Sequence, residues 1–295
     1  MIQKRPDEIV LIKKACEITR NALVFAKGLI KPGVSTFDID KSIEKFIIDS
    51  GGSPACLGYE GFPAATCISV NEMVVHGIPS QDIILQEGDI VSIDIVVAYK
   101  GYHGDAARTY AVGEIDAEKA KLMKVTKECF FKGIENLRVG DRIGKLSNAI
   151  QTHAESNGFS VVRELCGHGI GRRMHEAPSV LNFGKPTDGP VITENAVLAI
   201  EPMINAGRRI NTVTAITDQK TNRHAFRVFS ARSLNWRSSI SKRSESICRV
   251  SVSVGSSAGQ CSPKSAVTGT FSTAARRINV SESGSDTPFS HLETV

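Results

Sequence analysis

Residues 90–112 contain the feature that most constrains how this chain folds. They read IVSIDIVVAYKGYHGDAARTYAV, in which two runs rich in alternating apolar residues flank Lys100-Gly101. Such alternation is typical of a half-buried strand. A two-residue loop between two strands predicts a β-hairpin, and in that register Asp94 lies directly opposite Ala107.

Two aspartates share one face of this predicted hairpin. Asp105 is two residues from Ala107, so it lies diagonal to Asp94, at a spacing of roughly 7–8 Å. Two like charges on a buried sheet face are costly without a partner, and a divalent cation would stabilise them. The alternative is structural: strand aspartates often pair with an arginine or lie at a sheet edge, although Arg108 is predicted on the other face. Both interpretations stay open on the pattern alone.

The composition predicts a soluble globular protein. Hydrophobic residues make up 41% of the 295 residues and charged residues 23%, which is ordinary for such a chain. The net charge of +5 is mildly basic and too diffuse to predict a specific nucleic-acid partner. The charged N-terminus lacks the apolar core of a signal peptide, and no apolar run is long enough for a bilayer. The seven cysteines show no CxxC pairing, so we expect free thiols and a cytoplasmic location.

The order helix, helix, strands occurs twice along the chain. This predicts two related halves packed around one central sheet. The first set of predicted elements comprises helices over 7–29 and 35–48 and strands near 65–70 and 73–75; the second comprises helices over 116–137 and 142–157 and strands at 161–162 and 197–200.

Three more residues with metal-binding or catalytic side chains lie in the second half. His168 stands between glycines in the run CGHGIG, His175 follows seven residues later, and Glu201 ends an apolar run. Taken singly, a histidine between glycines is typical of a turn, and a glutamate before proline is typical of a strand exit. Together with Asp94 and Asp105 they provide a hard, mostly carboxylate ligand set with one imidazole, which suits Mn²⁺, Fe²⁺, Co²⁺ or Zn²⁺ at a hydrolytic site better than a structural zinc.

Short motifs in a fixed order carry a family resemblance. The chain resembles type I methionine aminopeptidases, the pita-bread metallopeptidases, over about residues 2–221. The matching motifs are Gly61-Phe62-Pro63, the run from Cys67 to Glu72, His76-Gly77-Ile78-Pro79, Gly88-Asp89-Ile90-Val91, Gly104-Asp105, the run from Gly167 to Gly171, His175-Glu176, and Ile200-Glu201-Pro202-Met203.

The resemblance implies an α+β pita-bread fold, in which two pseudo-symmetric halves share a central, mostly antiparallel sheet flanked by helices. It also implies two divalent metal ions (Co, Mn, Fe or Zn). Asp94, Asp105, His168 and Glu201 match four of the family's five metal ligands, with Asp105 bridging both ions.

The resemblance further assigns substrate contacts. His76 and His175 match two histidines that contact the substrate and stabilise the tetrahedral intermediate. The residues that match the lining of the methionine pocket are Cys56, Tyr59, Phe62, Cys67 and Met174. A narrow apolar slot of this kind would select an unbranched thioether side chain.

The implied activity is removal of the N-terminal methionine from nascent polypeptides, with a small second residue preferred. A monomer acting in the cytoplasm, with the ribosome surface as a further partner, is the expected setting. Two alternatives stay open: a non-catalytic pita-bread binding module, and a proline-specific peptidase of the same fold. The run from Cys67 to Asn71 favours the methionine branch.

The match breaks near the C-terminus. The family's fifth ligand is a glutamate in a late His-Phe-Glu motif, whereas residues 222–230 read NRHAFRVFS. We therefore predict a catalytic domain over 1–224 with incomplete last strands, and a Ser/Arg-rich, disordered tail over 225–295. Loss of the glutamate leads us to expect weak metal retention, poor stability and impaired activity.

The coding frame offers one explanation for this break. Codons for residues 225–230 can be chosen so that a shift of one nucleotide reads His-Phe-Glu-Tyr-Ser, which leads to the hypothesis of a frameshift near residues 221–225. The alternative is a genuine extension that binds RNA or the ribosome.

Overall fold

A computed structural model of the chain describes residues 1–206 and three short strands at 245–247, 249–254 and 278–280. The predicted domain boundary at 224/225 and the proposed frameshift position lie outside the described residues.

Two helices open the first half. Helix α1 spans Pro6–Lys27, and its start is favoured by a proline at the first helical position, where no N–H partner is needed. Helix α2 spans Thr36–Asp49, and the Ser35 side chain caps it by accepting a hydrogen bond from the backbone N–H of Asp38. Both predicted helices are confirmed, with ends shifted by one or two residues.

The strands of the first half form around the predicted hairpin. They are β1 (Ser53–Pro54), β2 (Cys67–Val70), β3 (Ile90–Tyr99) and β4 (Tyr102–Ala111), with a short 3₁₀ turn at Tyr59–Gly61 between β1 and β2. The hairpin is confirmed: Lys100 and Gly101 both have positive φ, at 47° and 80°, as a type I′ turn requires. Asp94 faces Ala107 in the observed register.

The strand predicted at residues 73–75 is wrong. Asn71 has a left-handed backbone with φ of 51°, which ends β2 and turns the chain. Val74 and Val75 are buried in a small apolar cluster with Val162 and Met203. Their apolar character therefore reflects tertiary burial and not strand pairing.

The second half repeats the order of the first, as predicted. Asp116 caps α3 by accepting from the backbone N–H of Lys119. The elements are α3 (Ala117–Glu135), α4 (Ile143–Ser156), β5 (Phe159–Val161), β6 (Gly167–Gly169), β7 (Glu176–Val180), β8 (Val197–Ile200) and β9 (Met203–Ala206).

A single large antiparallel sheet connects the halves. Its strand order is β1-β3-β4-β11-β8-β6-β7, where β11 is Arg249–Val254; β2 also pairs with β3, and β12 (Ile278–Val280) pairs with β11. A second sheet has the order β10-β9-β5, with β10 at Glu245–Ile247. Among the strand pairs that the structure describes, all are antiparallel, in agreement with the α+β prediction.

Each half has its own apolar core. One core joins α1 and α2 to β2, β3 and β4, and the other joins α3 and α4 to β5, β8 and β9. The middle of the large sheet, where β4 and β8 approach each other across β11, lies between these cores. Within the described part of the chain, no helix combines the length and the apolar composition needed to cross a bilayer.

Candidate metal centre

Asp105 is held on β4 by a close approach of helix α1. A Cβ atom at the preceding residue, Gly104, would lie 2.4 Å from the backbone nitrogen of Cys16, so only glycine fits there. The hydroxyl of Thr19 on the same helix donates to the Gly104 carbonyl at 3.1 Å. The Asp105 side chain is buried, with 1% exposure, and its backbone position is fixed from one side by α1.

His168 lies on a strand and not in a turn. A Cβ atom at Gly167 would lie 2.2 Å from the carbonyl oxygen of Ala199, and one at Gly169 would lie 2.4 Å from that of Ala177. The two glycines therefore allow β6 to lie against β8 and β7 at close distance. The glycines position the imidazole between two strands, which corrects the turn alternative considered from the sequence.

Glu201 follows β8 and is 1% exposed. The side-chain amide of Asn182, which is fully buried, donates to the backbone carbonyl of Glu201 at 2.7 Å. Because Pro202 cannot donate a ladder hydrogen bond, the strand ends here. The amide of Asn182 then holds the backbone in place at Glu201.

The structure brings three of the four predicted metal ligands together. One ligand atom from each of Asp105, His168 and Glu201 lies within 4.8 Å of the others. The His168 Nε2 atom is 3.1 Å from Glu201 Oε1 and 3.5 Å from Asp105 Oδ2. The other ring nitrogen, Nδ1, donates to the carbonyl oxygen of Gly169 at 2.9 Å, so Nε2 faces the carboxylates. This is the orientation in which histidine binds metals.

The charge balance of this group also fits a cation. Burial alone would lower the pKa of His168, but the Asp105 and Glu201 carboxylates, 3.5 and 3.1 Å from Nε2, outweigh burial and raise the pKa to about 10. The two buried carboxylates thus stabilise a positive charge between them, here the charge of the protonated His168 ring. A divalent cation satisfies the same requirement with oxygen and nitrogen ligands of the type that Mn²⁺, Fe²⁺, Co²⁺ and Zn²⁺ accept.

Asp94 lies beside this group but is not one of the three. It is on β3, diagonal to Asp105 in the confirmed hairpin register, and it is partly exposed where the other carboxylates are buried. Arg108 pairs with Ile93 in that register, so it lies on the opposite face of the hairpin, as the sequence predicted. Asp94 therefore shares the sheet face of Asp105 without joining the compact three-residue group.

Three predicted pocket residues meet in one apolar cluster. Cys56 and Met174 are buried together with Val96, and Phe62 packs against them. Val96 on β3 is the residue opposite Asp105 on β4, so this cluster lies beside the strand that carries Asp105. Cys67 is opposite Asp94 on β2. The apolar wall, by which we mean Cys56, Phe62, Val96 and Met174, therefore lies next to the predicted metal ligands.

Tyr59 and His175 connect this wall to the three ligands. The Tyr59 hydroxyl is 2.9 Å from Nδ1 of His175, and the rings of His175 and His168 meet edge to face with centroids 4.4 Å apart. Burial, followed by the charge of Glu60, raises the pKa of Tyr59, so its hydroxyl stays protonated and can donate to Nδ1. In the tautomer that accepts this hydrogen bond, Nε2 carries the ring proton.

His76 lies in the turn after β2 and is exposed. Its φ of 59° is uncommon for a residue with a side chain and is often found at functional sites. The next residue is tightly constrained: a Cβ atom at Gly77 would lie 2.1 Å from the Ile68 carbonyl oxygen, and the Gly77 N–H donates to the Ser69 hydroxyl at 3.1 Å. These contacts hold His76 beside the strand that carries Cys67.

Sequence reasoning missed Val96, Ser69 and Asn182. Val96 reads as one more apolar residue in a strand, and Ser69 and Asn182 act through hydrogen bonds whose partners are set only by the tertiary fold. A single asparagine or serine belongs to no periodic pattern, so residue spacing does not predict its role.

Comparisons with known proteins identify the family of this chain. The model for metallopeptidase family M24 matches residues 10–228. The methionine aminopeptidase of Clostridium acetobutylicum is 49% identical over 207 residues, which cover 70% of this chain and 83% of that protein.

Solved structures agree as well. The crystal structure of methionine aminopeptidase from Thermotoga maritima superimposes with a TM-score of 0.75 at 34% identity, and the match covers 86% of this chain and 96% of that one. Prolidase from Pyrococcus furiosus matches with a TM-score of 0.61 at 22% identity, over 86% of this chain and 62% of that one, which shows a shared fold alone. The predicted α+β pita-bread fold is confirmed, and the chain belongs to metallopeptidase family M24.

Proposed function

We propose that this chain is a methionyl aminopeptidase, a metallopeptidase that removes the N-terminal methionine from polypeptides. The observation that carries the proposal is the juxtaposition of Asp105, His168 and Glu201 with His175 and the apolar wall that includes Met174. The relatives that match over most of their length are named methionine aminopeptidases, and members of this family use divalent metal ions.

The proposed metal ligands are Asp94, Asp105, His168 and Glu201, and they would hold two divalent ions (Co, Mn, Fe or Zn). Bound ions of this kind supply a water nucleophile near neutral pH and polarise the scissile carbonyl. The segment in which the family resemblance places a fifth ligand lies outside the described residues. The expected weakening of metal retention and activity therefore stays a prediction.

His175 is proposed to act on the substrate carbonyl. In the tautomer in which Tyr59 donates to Nδ1, which their 2.9 Å contact allows, the proton on Nε2 is available to the oxygen on which negative charge develops in the transition state. A donor held in place before the reaction stabilises that charge without reorganisation. His76, which is exposed and has a left-handed backbone, is proposed as the second substrate contact.

The apolar wall is proposed to select methionine. Cys56, Phe62 and Met174 offer sulfur and aromatic surface, which suits a flexible, polarizable thioether side chain. Tyr59 and Cys67 complete the proposed pocket. A side chain branched at Cβ is wider near the backbone than methionine, so we expect the pocket to discriminate against it. We also propose that a small second residue is preferred.

The N-termini of nascent polypeptides are the proposed substrates, with the cytoplasm as the location, a monomer as the working form and the ribosome surface as a further partner. A non-catalytic binding module is disfavoured, because the ligand group is kept buried and oriented as a metal site requires. The proline-specific alternative rests on likeness of fold alone.

A peptide panel tests this proposal. The purified full chain is incubated with Mn²⁺, Co²⁺ or Fe²⁺ and with Met-Ala-Ser, Val-Ala-Ser, Met-Leu-Ser and an Ala-Pro dipeptide. We expect free methionine from Met-Ala-Ser in preference to all others. Preferred cleavage of Ala-Pro would favour the proline-specific alternative. Metal binding without cleavage of any peptide would fit the binding module and also the loss of activity expected from the missing fifth ligand.

A further inference from the structure

The loop that carries His175, residues 171–175, is held on one side by the N-terminal segment of the chain, residues 3–8. We propose that this N-terminal segment positions His175 for catalysis and that Lys4 and Glu176 are its principal positioning residues. The inference rests on the proposed function, because it gives His175 a role toward the substrate.

A buried ion pair forms the first attachment. Lys4 Nζ contacts Glu176 Oε2, although the two residues are 172 positions apart, and their side chains are only 5% and 6% exposed. The other carboxylate oxygen of Glu176 accepts from the backbone N–H of Arg173 at 3.2 Å. The carboxylate therefore closes the loop on itself directly next to His175 and fixes it to the N-terminal segment.

The backbone of Lys4 is fixed in its turn. Its N–H donates to the carbonyl oxygen of Asn195 at 2.9 Å, and the neighbouring Gln3 forms a β-bridge with Ala196. Residues 195–196 directly precede β8, which leads to Glu201. The N-terminal segment therefore connects the strand of a metal ligand to the loop of His175.

Glu8 forms the second attachment. This carboxylate is 7% exposed and accepts from the Tyr102 hydroxyl at 2.8 Å and from Nε of Arg172 at 3.2 Å. The guanidinium of Arg172 also lies over the Tyr102 ring, 4.8 Å from its centroid. Arg172 is thereby tied to both α1 and the start of β4.

Gly171 forms the third contact, at the beginning of the loop. Its carbonyl oxygen accepts from the backbone N–H of His103 at 2.9 Å. A Cβ atom at Gly171 would lie 2.4 Å from Nζ of Lys4, so the loop backbone runs directly along the lysine side chain. A shift of Lys4 is therefore transmitted to the loop.

A buried ion pair is a poor means of stabilising a fold, because the desolvation of both charges offsets much of their attraction. It is an effective means of fixing a geometry, since each charge accepts few alternative positions. Catalysis is sensitive to such geometry: a displacement of about 1 Å at a reacting group can lower a rate about 100-fold. The pair is therefore expected to matter more for turnover than for folding.

The principal test is the double variant Lys4→Met, Glu176→Gln, which removes both charges and leaves neither one buried alone. We expect it to fold, to bind metal with the wild-type stoichiometry and to lose at least tenfold in kcat/KM on Met-Ala-Ser, mainly in kcat. The single variant Lys4→Arg keeps the positive charge and should retain most of the wild-type activity. Asp7→Asn is the matched control, because it breaks the exposed Arg5–Asp7 pair on the same segment, and it should leave kcat/KM unchanged.

Arg172→Gln is the second variant, and it removes the contacts of Arg172 with Glu8 and with the Tyr102 ring while the Lys4–Glu176 pair stays in place. Arg172 is 62% exposed, so this protein should fold even if the double variant does not, and we expect its kcat to fall severalfold. Wild-type kcat/KM in the double variant or in folded Arg172→Gln, or an equal loss in Asp7→Asn, would overturn the proposal.

The ring signals of His175 test the positioning without relying on turnover. In histidine-labelled protein they are assigned by comparison with His175→Gln, and we expect them to shift or broaden in the double variant or, if that protein does not fold, in Arg172→Gln. His153, which pairs with Glu128 at 2.9 Å between α3 and α4, is the internal control and should not change. If the wild-type protein releases no methionine, the proposed function fails, and unchanged His175 signals separately refute the positioning role.

Discussion

Replacement of Gly104 by alanine tests how the fold positions Asp105. The added Cβ atom would lie 2.4 Å from the Cys16 nitrogen and 2.6 Å from the Ala15 carbonyl carbon, whereas ordinary contacts begin at 3.4 Å. Either α1 or β4 must therefore move by about 1 Å. Both atoms belong to helix backbone, so no side-chain rotation relieves the clash.

The size of the effect follows from that displacement. Overpacking of this kind costs about 1–3 kcal/mol of unfolding free energy, which corresponds to roughly 2–4 °C in Tm per kcal/mol for a domain of this size. The ligand group is compact, with atoms within 4.8 Å, so a shift of about 1 Å at Asp105 changes the distances to His168 and Glu201 appreciably. We expect metal affinity to fall at least tenfold, by analogy with the roughly 10–100-fold losses seen when supporting contacts of metal ligands are removed.

Metal titration calorimetry and thermal unfolding of Gly104→Ala measure both effects. Gly28→Ala is the matched control, since Gly28 ends the same helix with a right-handed backbone (φ of −72°) and its Cβ would be 3.5 Å from its nearest neighbour. Wild-type metal affinity in folded Gly104→Ala would refute the claim that the α1 contact positions Asp105.

Three further predictions concern single hydrogen bonds. Asn182→Ala should lower metal affinity about tenfold, because Glu201 loses its fixed point at the carbonyl; calorimetry checks this. Ser69→Ala should lower kcat/KM on Met-Ala-Ser severalfold while metal affinity is unchanged, because only the turn of His76 is released. Burial raises the pKa of Tyr110 to about 12, and its neutral hydroxyl donates to the Leu23 carbonyl at 2.6 Å. Because the pKa of Tyr110 is about 10 in the unfolded chain and about 12 in the folded one, the neutral hydroxyl stabilises the fold fully below pH 10, and this stabilisation is lost as the pH rises toward 12. In urea unfolding, the free energy of unfolding of wild type should exceed that of Tyr110→Phe by about 1 kcal/mol near pH 8. This difference should disappear by about pH 11.

Each of these three predictions has a contrary outcome. Unchanged metal affinity in Asn182→Ala, unchanged turnover in Ser69→Ala, or a stability difference for Tyr110→Phe that stays constant with pH would contradict the role assigned to that hydrogen bond.

Local patterns predicted the elements that carry the ligands. The alternation of apolar residues and the Lys100-Gly101 loop set the register of β3 and β4, because a two-residue loop leaves little freedom in pairing. Once the register is fixed, the diagonal placement of Asp94 and Asp105 follows from strand geometry. The helix ends were predictable where a capping residue such as Ser35 or Asp116 is present.

Long-range contacts account for what the sequence did not predict. Lys4 and Glu176 are far apart in the chain and belong to no periodic pattern, so their pairing follows only from the way the N-terminal segment meets β7. The apolar residues Val74 and Val75 resembled a strand because burial and strand formation favour the same residue types. Gly167 and Gly169 resembled turn residues because their true role depends on how closely β7 and β8 approach.

The dependence of methionine release on a metal held by Asp105 is measured with Met-Ala-Ser as a function of added Co²⁺, in wild type, Asp105→Asn and the surface control Asp49→Asn. Asp49 is 60% exposed and pairs only with Lys45 among the described residues, so its variant should match wild type. We predict release that rises and saturates with metal in wild type and is lost in Asp105→Asn. Release that is independent of metal, or equal in Asp105→Asn and wild type, would show that Asp105 does not hold a catalytic metal.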